Sequence, residues 1–260
     1  MVAKAINDLT RGMNLWHVWV YQAYREISAK YRRTVLGSLW IAGGIFFTSL
    51  SMAIVFGGLF HQDLKTTLPY IMAGLMSFAA IGHILNEAPE VYMANAGIIS
   101  NHAYPFTYYN FEGVAKNIFI LFHNIVVLEI ILISCQSLVV PHWSFLIGLP
   151  IVAINMFTWG SVVGMMSARF RDLRFLLPYT SQVVMFASPI VYHPEQMSAE
   201  KHWVVQFNPF YPFIEMLRAP LLGKAMPIEY WPMAGGVTIV GAVVWLVVFS
   251  SFRKRIAFWV

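Results

Sequence analysis

Six long apolar stretches constrain this chain more than any other feature: Leu36–Phe60, Leu68–Tyr92, Val114–Val139, Phe145–Ala168, Phe175–Tyr192 and Trp231–Phe252. A helix of roughly 20 mostly apolar residues crosses the hydrocarbon core of a bilayer, so each is a candidate span. Charge is correspondingly scarce. Only 11% of residues are charged, against about 25% in an ordinary soluble domain, and mean hydropathy is +0.63. So few charges cannot cover a water-exposed surface, and lipid must be the solvent for most of the chain. The expected fold is all-α and polytopic, with six transmembrane helices.

The net charge of +5 would fit a nucleic-acid binder, but the basic residues are placed otherwise. With the N-terminus inside, thirteen of the seventeen Lys and Arg residues fall on the cytoplasmic side, among them Lys116, Arg169, Arg171, Arg174, Arg253, Lys254 and Arg255. Only Lys65, Lys201, Arg218 and Lys224 fall outside. This positive-inside asymmetry marks the basic residues as topology anchors, puts both termini in the cytoplasm and leaves no nucleic-acid surface. The one cysteine, Cys135, excludes an intramolecular disulfide. The opening MVAKAINDLTRGMN lacks the apolar core and small-residue cleavage site of a signal peptide.

Residues 1–34 form a cytoplasmic N-terminal segment. Within it Trp16, Val20, Ala23 and Ile27 repeat at helical spacing, with Asn14 available as N-cap. The segment is too polar to span, so it is expected to lie in the headgroup plane as an amphipathic helix. It ends in Lys30, Arg32 and Arg33 around Tyr31.

The rest, residues 35–260, is a transmembrane domain with two distinctive connections. Between the second and third spans, AGIISNHAYPFTYYNFEG leaves room for one short exposed helix, a natural docking surface. Between the fifth and sixth, the run FYPFIEMLRAPLL is too short to cross, and Pro212 and Pro220 break it. It reads as re-entrant or interfacial helices on the outer side, where irregular backbone must be enclosed by protein or line a water-filled cavity. Glu215 and Arg218, three apart, share a helical face and can pair.

In order and spacing these segments resemble the permease subunits of ABC-2 type polysaccharide exporters, the Wzm-like proteins that move O-antigen, capsule or teichoic acid chains. The likeness covers nearly the whole chain. It is carried by KYRRTVLGSLWI, SARFRDLRFLLPY, ASPIVYHPEQM and above all NPFYPFIEMLRAPLLG, where Asn208, Pro209, Glu215, Arg218, Pro220 and Gly223 fall together. The resemblance implies an inner-membrane homodimer enclosing a channel, two copies of a separate Wzt-like cytoplasmic ATPase, and an undecaprenyl-pyrophosphate-linked polysaccharide as cargo. It places a coupling helix at about 98–109, with Asn101, His102, Tyr104, Pro105, Phe106 and Tyr108 facing the ATPase. It places a re-entrant outer gate at about 194–229. Arg25, Lys30, Arg32 and Arg33 would meet the pyrophosphate of the lipid carrier, arginine being suited to a phosphate fork; anionic membrane lipid explains part of the same cluster.

The chain has no G-x-x-x-x-G-K-[ST], since Gly223-Lys224 is followed by Ala225. A pump built on it would take its energy from a partner that binds ATP and Mg, with no cofactor of its own. Nor do the eight histidines form a metal-ligand or catalytic spacing; His83 and Glu87 share a helical face as a polar contact. Glu129 lies well inside the third span. It is expected either on the channel wall, in a network with His123 and Asn124, or in a hydrogen bond between helices. Aromatic residues make up 16%; at the outer mouth Phe186, Tyr192, Phe210 and Tyr211 are the candidates to guide a sugar polymer. Gly160, Gly164 and Ala168 allow a close helix approach, within one subunit or across a dimer. Two rival readings remain open. One is the same fold exporting a small amphiphile or lipo-oligosaccharide; the other is an integral-membrane acyltransferase, which needs a convergent histidine site.

Overall fold

The computed structural model describes residues 2–35, 37–196 and 203–260. Leu36, at the start of the first apolar stretch, and residues 197–202 of the expected outer gate lie outside the described residues.

The secondary structure among them is helical. A polar start gives α1 (Val2–Asn14) and α2 (Trp16–Tyr31). Five helices are long and apolar enough to cross a membrane: α3 (Trp40–Leu59), α4 (Leu64–Asn86), α6 (Phe106–Ser134), α7 (Phe145–Arg169) and α11 (Trp231–Phe252). Short helices join them: α5 (Ala96–Asn101), α8 (Leu173–Ala187), α9 (Trp203–Gln206), α10 (Tyr211–Leu221) and the terminal α12 (Ile256–Trp259).

The core is built around α4. Asp63 caps it, its side chain accepting from the Lys65 amide at 3.1 Å. Nearly every residue from Thr67 to Leu85 is buried against α3, α6, α7, α8 and α10. The other long helices bury one stripe each and leave apolar residues such as Phe47, Phe122, Ile130 and Val243 exposed, as helices solvated by lipid do. Close approach relies on glycine. A side chain at Gly164 would meet the Ala88 carbonyl at 2.9 Å, and one at Gly160 would meet the Ala88 methyl at 3.3 Å. The small-residue stripe of α7 therefore serves contact within one subunit.

The fifth expected span is the main departure. Phe175–Tyr192 is not one helix: α8 ends at Ala187, and Ser188 turns extended at φ −95° and ψ 138°. Pro189 explains the break, because a residue before proline is pushed out of the helical region. Even so, α8 and its extension run beside α4 from end to end. Arg174 lies 3.8 Å from Glu90, Asn86 donates to Ser181 at 2.9 Å, and Tyr70 reaches the carbonyls of Pro189 and Tyr192. Tyr70 to Asn86 along α4 is about 24 Å at 1.5 Å per residue, and Glu90 lies in the turn just beyond. A fifteen-residue helix and a short extended strand of chain together cover that length.

Two further expectations shift. Residues 2–14, for which the sequence suggested no helix of their own within the cytoplasmic N-terminal segment, form α1. Asn14 ends that helix instead of capping the next, whose N-cap is Leu15 with no side-chain hydrogen bond.

Candidate functional site

The two ends of the bundle differ in charge. One, the basic end, gathers α1, α2, α5, the start of α6 and the Arg253–Arg255 turn; the other gathers α9, α10 and the starts of α4, α7 and α11.

At the second end α10 is an inserted helix, with all eleven residues buried. Its start reaches inward: Phe210 and Phe213 line an apolar cavity of about 610 Å³ with Ile81, Asn155, Trp159 and Val237, all from the middle of long helices. Its end returns to the rim, where the His142 amide donates to the Pro220 carbonyl at 2.9 Å. There Gly223 takes φ +74°. The Gly223 amide donates to Pro220 and the Lys224 amide to Ala219; this pair of bonds closes a helix C-terminus and requires a left-handed residue at that point.

Arg218 holds this insertion together. It is 1% exposed and hydrogen-bonds the Glu215 carboxylate, as their spacing predicted. Glu215 also accepts from the Tyr211 hydroxyl at 2.8 Å. The other arm of Arg218 donates to the Pro189 carbonyl at 2.7 Å, and its guanidinium lies 4.3 Å from the centre of the Tyr70 ring. One side chain thus ties α10, α4 and the broken end of α8. The backbone carbonyls freed by that break are satisfied here, Pro189 by Arg218 and both Pro189 and Tyr192 by the Tyr70 hydroxyl, while the Asn208 side chain donates to the Ser188 hydroxyl at 2.7 Å. Beside the pair opens a cavity of about 640 Å³, lined among others by Tyr70, His193, Tyr211, Lys224 and Tyr230. His193 packs its ring on Tyr70, centroids 4.0 Å apart. Burial, then the charge of Arg218, lowers its pKa and favours neutral imidazole.

Of the residues expected at the outer gate, Tyr211, Glu215 and Arg218 converge, and Tyr192 joins through its backbone carbonyl. Phe210 faces the apolar cavity instead. Phe186 stands apart on the exposed face of α8, with Phe175, Leu176, Tyr179, Thr180, Gln182 and Val183. Tyr70, Tyr230 and Pro189 had no signal in the sequence, for each acts only through partners distant along the chain.

At the basic end the short helix occupies 96–101, so the expected coupling segment at 98–109 divides. Asn101, His102 and Tyr104 are exposed, whereas Phe106 and Tyr108 belong to the first turn of α6 and Pro105 is buried beneath it. Tyr104 stacks on Tyr108, centroids 4.9 Å apart. Above this segment is a cavity of about 570 Å³ lined by Glu26, Glu87, Glu90, Glu112, Lys30, Lys116 and His83, with uncharged neighbours. Lys116 bridges Glu26 of α2 and Glu87 at the end of α4 at 3.5 and 3.7 Å, and His83 sits 3.5 Å from Glu87. Of the basic cluster, only Lys30 lines this cavity. Arg25 lies over Tyr21, and Arg32 and Arg33 are exposed beyond α2. Carboxylates outnumber lysines in the cavity, so it is not a site built for an anion.

The intramembrane polar residues do not form the expected network. His123 Nδ1 lies 2.7 Å from the Phe119 carbonyl of its own helix. Asn124 is on the buried face with Leu121 and Leu128, five residues and therefore about 140° from Glu129. Nor do His83, His102 and His123 converge: they lie on the inner cavity, an exposed loop and the α6 stripe respectively.

Residues 19–222 match the family described as ABC-2 type transporter. The chain belongs to the ABC-2 transporter membrane family. Two curated relatives, both named O-antigen export system permease protein RfbA and both from Klebsiella pneumoniae, are 21% identical over 252 and 253 residues, covering 94% of this chain and 95% of the relative. The family match takes in the spans α3, α4, α6 and α7, the composite α8 passage and the whole α10 insertion. It leaves out α1 and α11. In ABC-2 terms the chain is a multi-pass transporter component.

Proposed function

We propose that this chain is the membrane subunit of an exporter for lipid-linked polysaccharide, O-antigen foremost, working as a homodimer in the inner membrane with two copies of a separate ATPase. The observation that carries the reading is the outward face of α8. Tyr179 is 67% and Phe186 68% exposed, with Thr180 and Gln182 exposed between them, and the helix buries only Ser181. The Thr180 hydroxyl donates to the Leu176 carbonyl of its own helix at 3.2 Å, but the Gln182 carboxamide and the Tyr179 hydroxyl at span depth are poorly solvated by lipid. A second copy and a water-filled lumen would solvate them, and aromatic rings set along such a lumen suit a sugar polymer. The names of the two Klebsiella relatives support the cargo class. α8 with its extension counts as the fifth of six passes, so that α11 returns to the basic side and both termini lie in the cytoplasm, in line with the positive-inside rule.

In this reading the exposed Asn101, His102 and Tyr104 meet the ATPase, whose closure moves α5. The lipid pyrophosphate meets Arg25, Arg32 and Arg33 on the exposed side, while the sugar hydroxyls turn toward the carboxylate-rich cavity. Arg218 and Glu215 hold the outer insertion shut between cargo chains. Deletion of the gene tests the function directly. Lipid-linked polymer should accumulate inside the cell and vanish from the surface; an unchanged surface polysaccharide would refute the reading. Gln182→Cys, made with Cys135→Ser, should react with a membrane-impermeant thiol reagent in the assembled complex. Protection equal to that of a cysteine at lipid-facing Ile130 would remove the lumen from α8.

A further inference from the structure

The residues outside the family match converge on one point. Asp8, in the middle of α1, is 8% exposed. Its Oδ1 accepts from the Thr107 amide at 3.1 Å and from the Thr107 hydroxyl at 2.9 Å. Its Oδ2 accepts from Arg253 Nη1 at 3.1 Å. Thr107 is the second residue of α6, within the part of the expected coupling segment that α6 takes up, and Arg253 follows the last residue of α11. The N-cap of α6 is Pro105, which has no side-chain acceptor. The carboxylate that satisfies the orphan amide therefore comes from another helix, 99 residues away in sequence, and it places negative charge at the positive end of α6.

The neighbouring contacts stiffen this junction. Gly12 lets α1 lie directly on Thr107, whose Cβ would be 3.2 Å from any Cβ added there. Trp19 donates to the Gly12 carbonyl at 3.2 Å and stacks on Phe111 of α6 at 5.6 Å. On the other flank, α12 packs against α5 and α7, and Trp259 lies under the Arg169 guanidinium. α5 itself buries no residue. Thr107 is the first buried side chain after it that is hydrogen-bonded to another helix.

We propose that Asp8, Thr107 and Arg253 form a fixed joint that carries displacement of the α5 segment into α6 and α11 together, with Asp8 the positioning residue. The inference rests on the exporter reading, because the displacement it transmits is supplied by the partner ATPase.

The test uses the full complex purified from membranes and reconstituted in vesicles, with polymer delivered per ATP hydrolysed as the readout. Asp8→Ala should assemble with the ATPase in normal amount and keep its basal hydrolysis, while delivery per ATP falls by about fivefold or more, the factor matching loss of one helix cap. Asp8→Asn keeps an acceptor for Thr107 and loses the charge facing Arg253, so it should fall between wild type and Asp8→Ala. A paired substitution, Gly12→Cys with Thr107→Cys in a Cys135→Ser background, brings two sulfur-bearing Cβ atoms to disulfide range after a shift of a few tenths of an ångström. It should be uncoupled when reduced and recover when oxidised. Normal delivery per ATP in Asp8→Ala, a loss that merely follows the amount of complex, or a pair that works reduced and fails oxidised would each overturn the joint. If the wild-type chain brings down no ATPase, the exporter reading itself fails, and that result is visible before any variant is made.

Discussion

The buried pair in α10 allows a quantitative test by a double-mutant cycle. Arg218 is enclosed by Glu215, the Pro189 carbonyl and the Tyr70 ring, while Glu215 has Arg218 and the Tyr211 hydroxyl. In Arg218→Leu the carboxylate stays in a low-dielectric site with one neutral donor, and removing one partner of a buried pair costs about 3–5 kcal/mol. Glu215→Leu strands the guanidinium in the same way and also removes the acceptor for Tyr211, so a loss of about 3 kcal/mol or more is expected. Independent effects would sum to roughly 6–8 kcal/mol in the double variant. The geometry predicts otherwise. With both charges gone the desolvation penalty goes too, as does the buried Arg218 Nε that has no hydrogen-bond partner. What remains is the Tyr211 hydroxyl without its acceptor, so the double variant should lie within about 1–3 kcal/mol of wild type. Thermal and denaturant unfolding of the purified protein in one detergent measures all four corners. An additive double variant would show that the two side chains do not stabilise one another.

Other predictions are simpler. Gly164→Val drives a side chain into the Ala88 carbonyl and should lower stability by about 1–3 kcal/mol through overpacking; Gly236→Ala has nothing within 4 Å and should raise it by about 0.5–1 kcal/mol in the same melts. His193 binds its proton less tightly folded than unfolded, so the native state holds fewer protons in that range. Its contribution is present above the ordinary imidazole pKa near 6.5 and is lost as pH falls through the lowered value. The melting temperature should drop between pH 7.5 and pH 5, and His193→Gln should flatten that drop; an identical slope in the variant would exclude His193 as its source.

Much of the fold was legible because lipid imposes a coarse rule. Long apolar runs become helices, and Trp231–Phe252 emerged with the bounds its hydropathy suggested. What the pattern missed was governed by single residues. Composition carries Phe175–Tyr192 as a span, but Pro189 stops α8 at Ala187. The chain still travels beside α4 because its freed carbonyls are met by Tyr70 and Arg218, partners that no hydropathy window can see. α1 was hidden for a related reason: Asp8 and Gly12 look like breaks in an apolar stripe, yet with Ala5 they are the residues it buries.

The candidate site shows the same division between local and distant causes. Spacing alone paired Glu215 with Arg218, and i, i+3 geometry on a helix is enough for that. Spacing also kept Phe186 beside the gate residues, yet the structure sets it on the far, exposed side of α8. A helix turns about 100° per residue, so proximity in sequence does not fix which face a side chain shares. Arg218 and Asp8 are alike in this respect. Each is a charge that costs stability to bury alone, and each is held by backbone groups that a proline leaves without a local partner: Pro189 at the end of α8 and Pro105 at the start of α6. A proline at a helix end, matched by a buried charge from far along the chain, marks both ends of the bundle where one element must hold another in place.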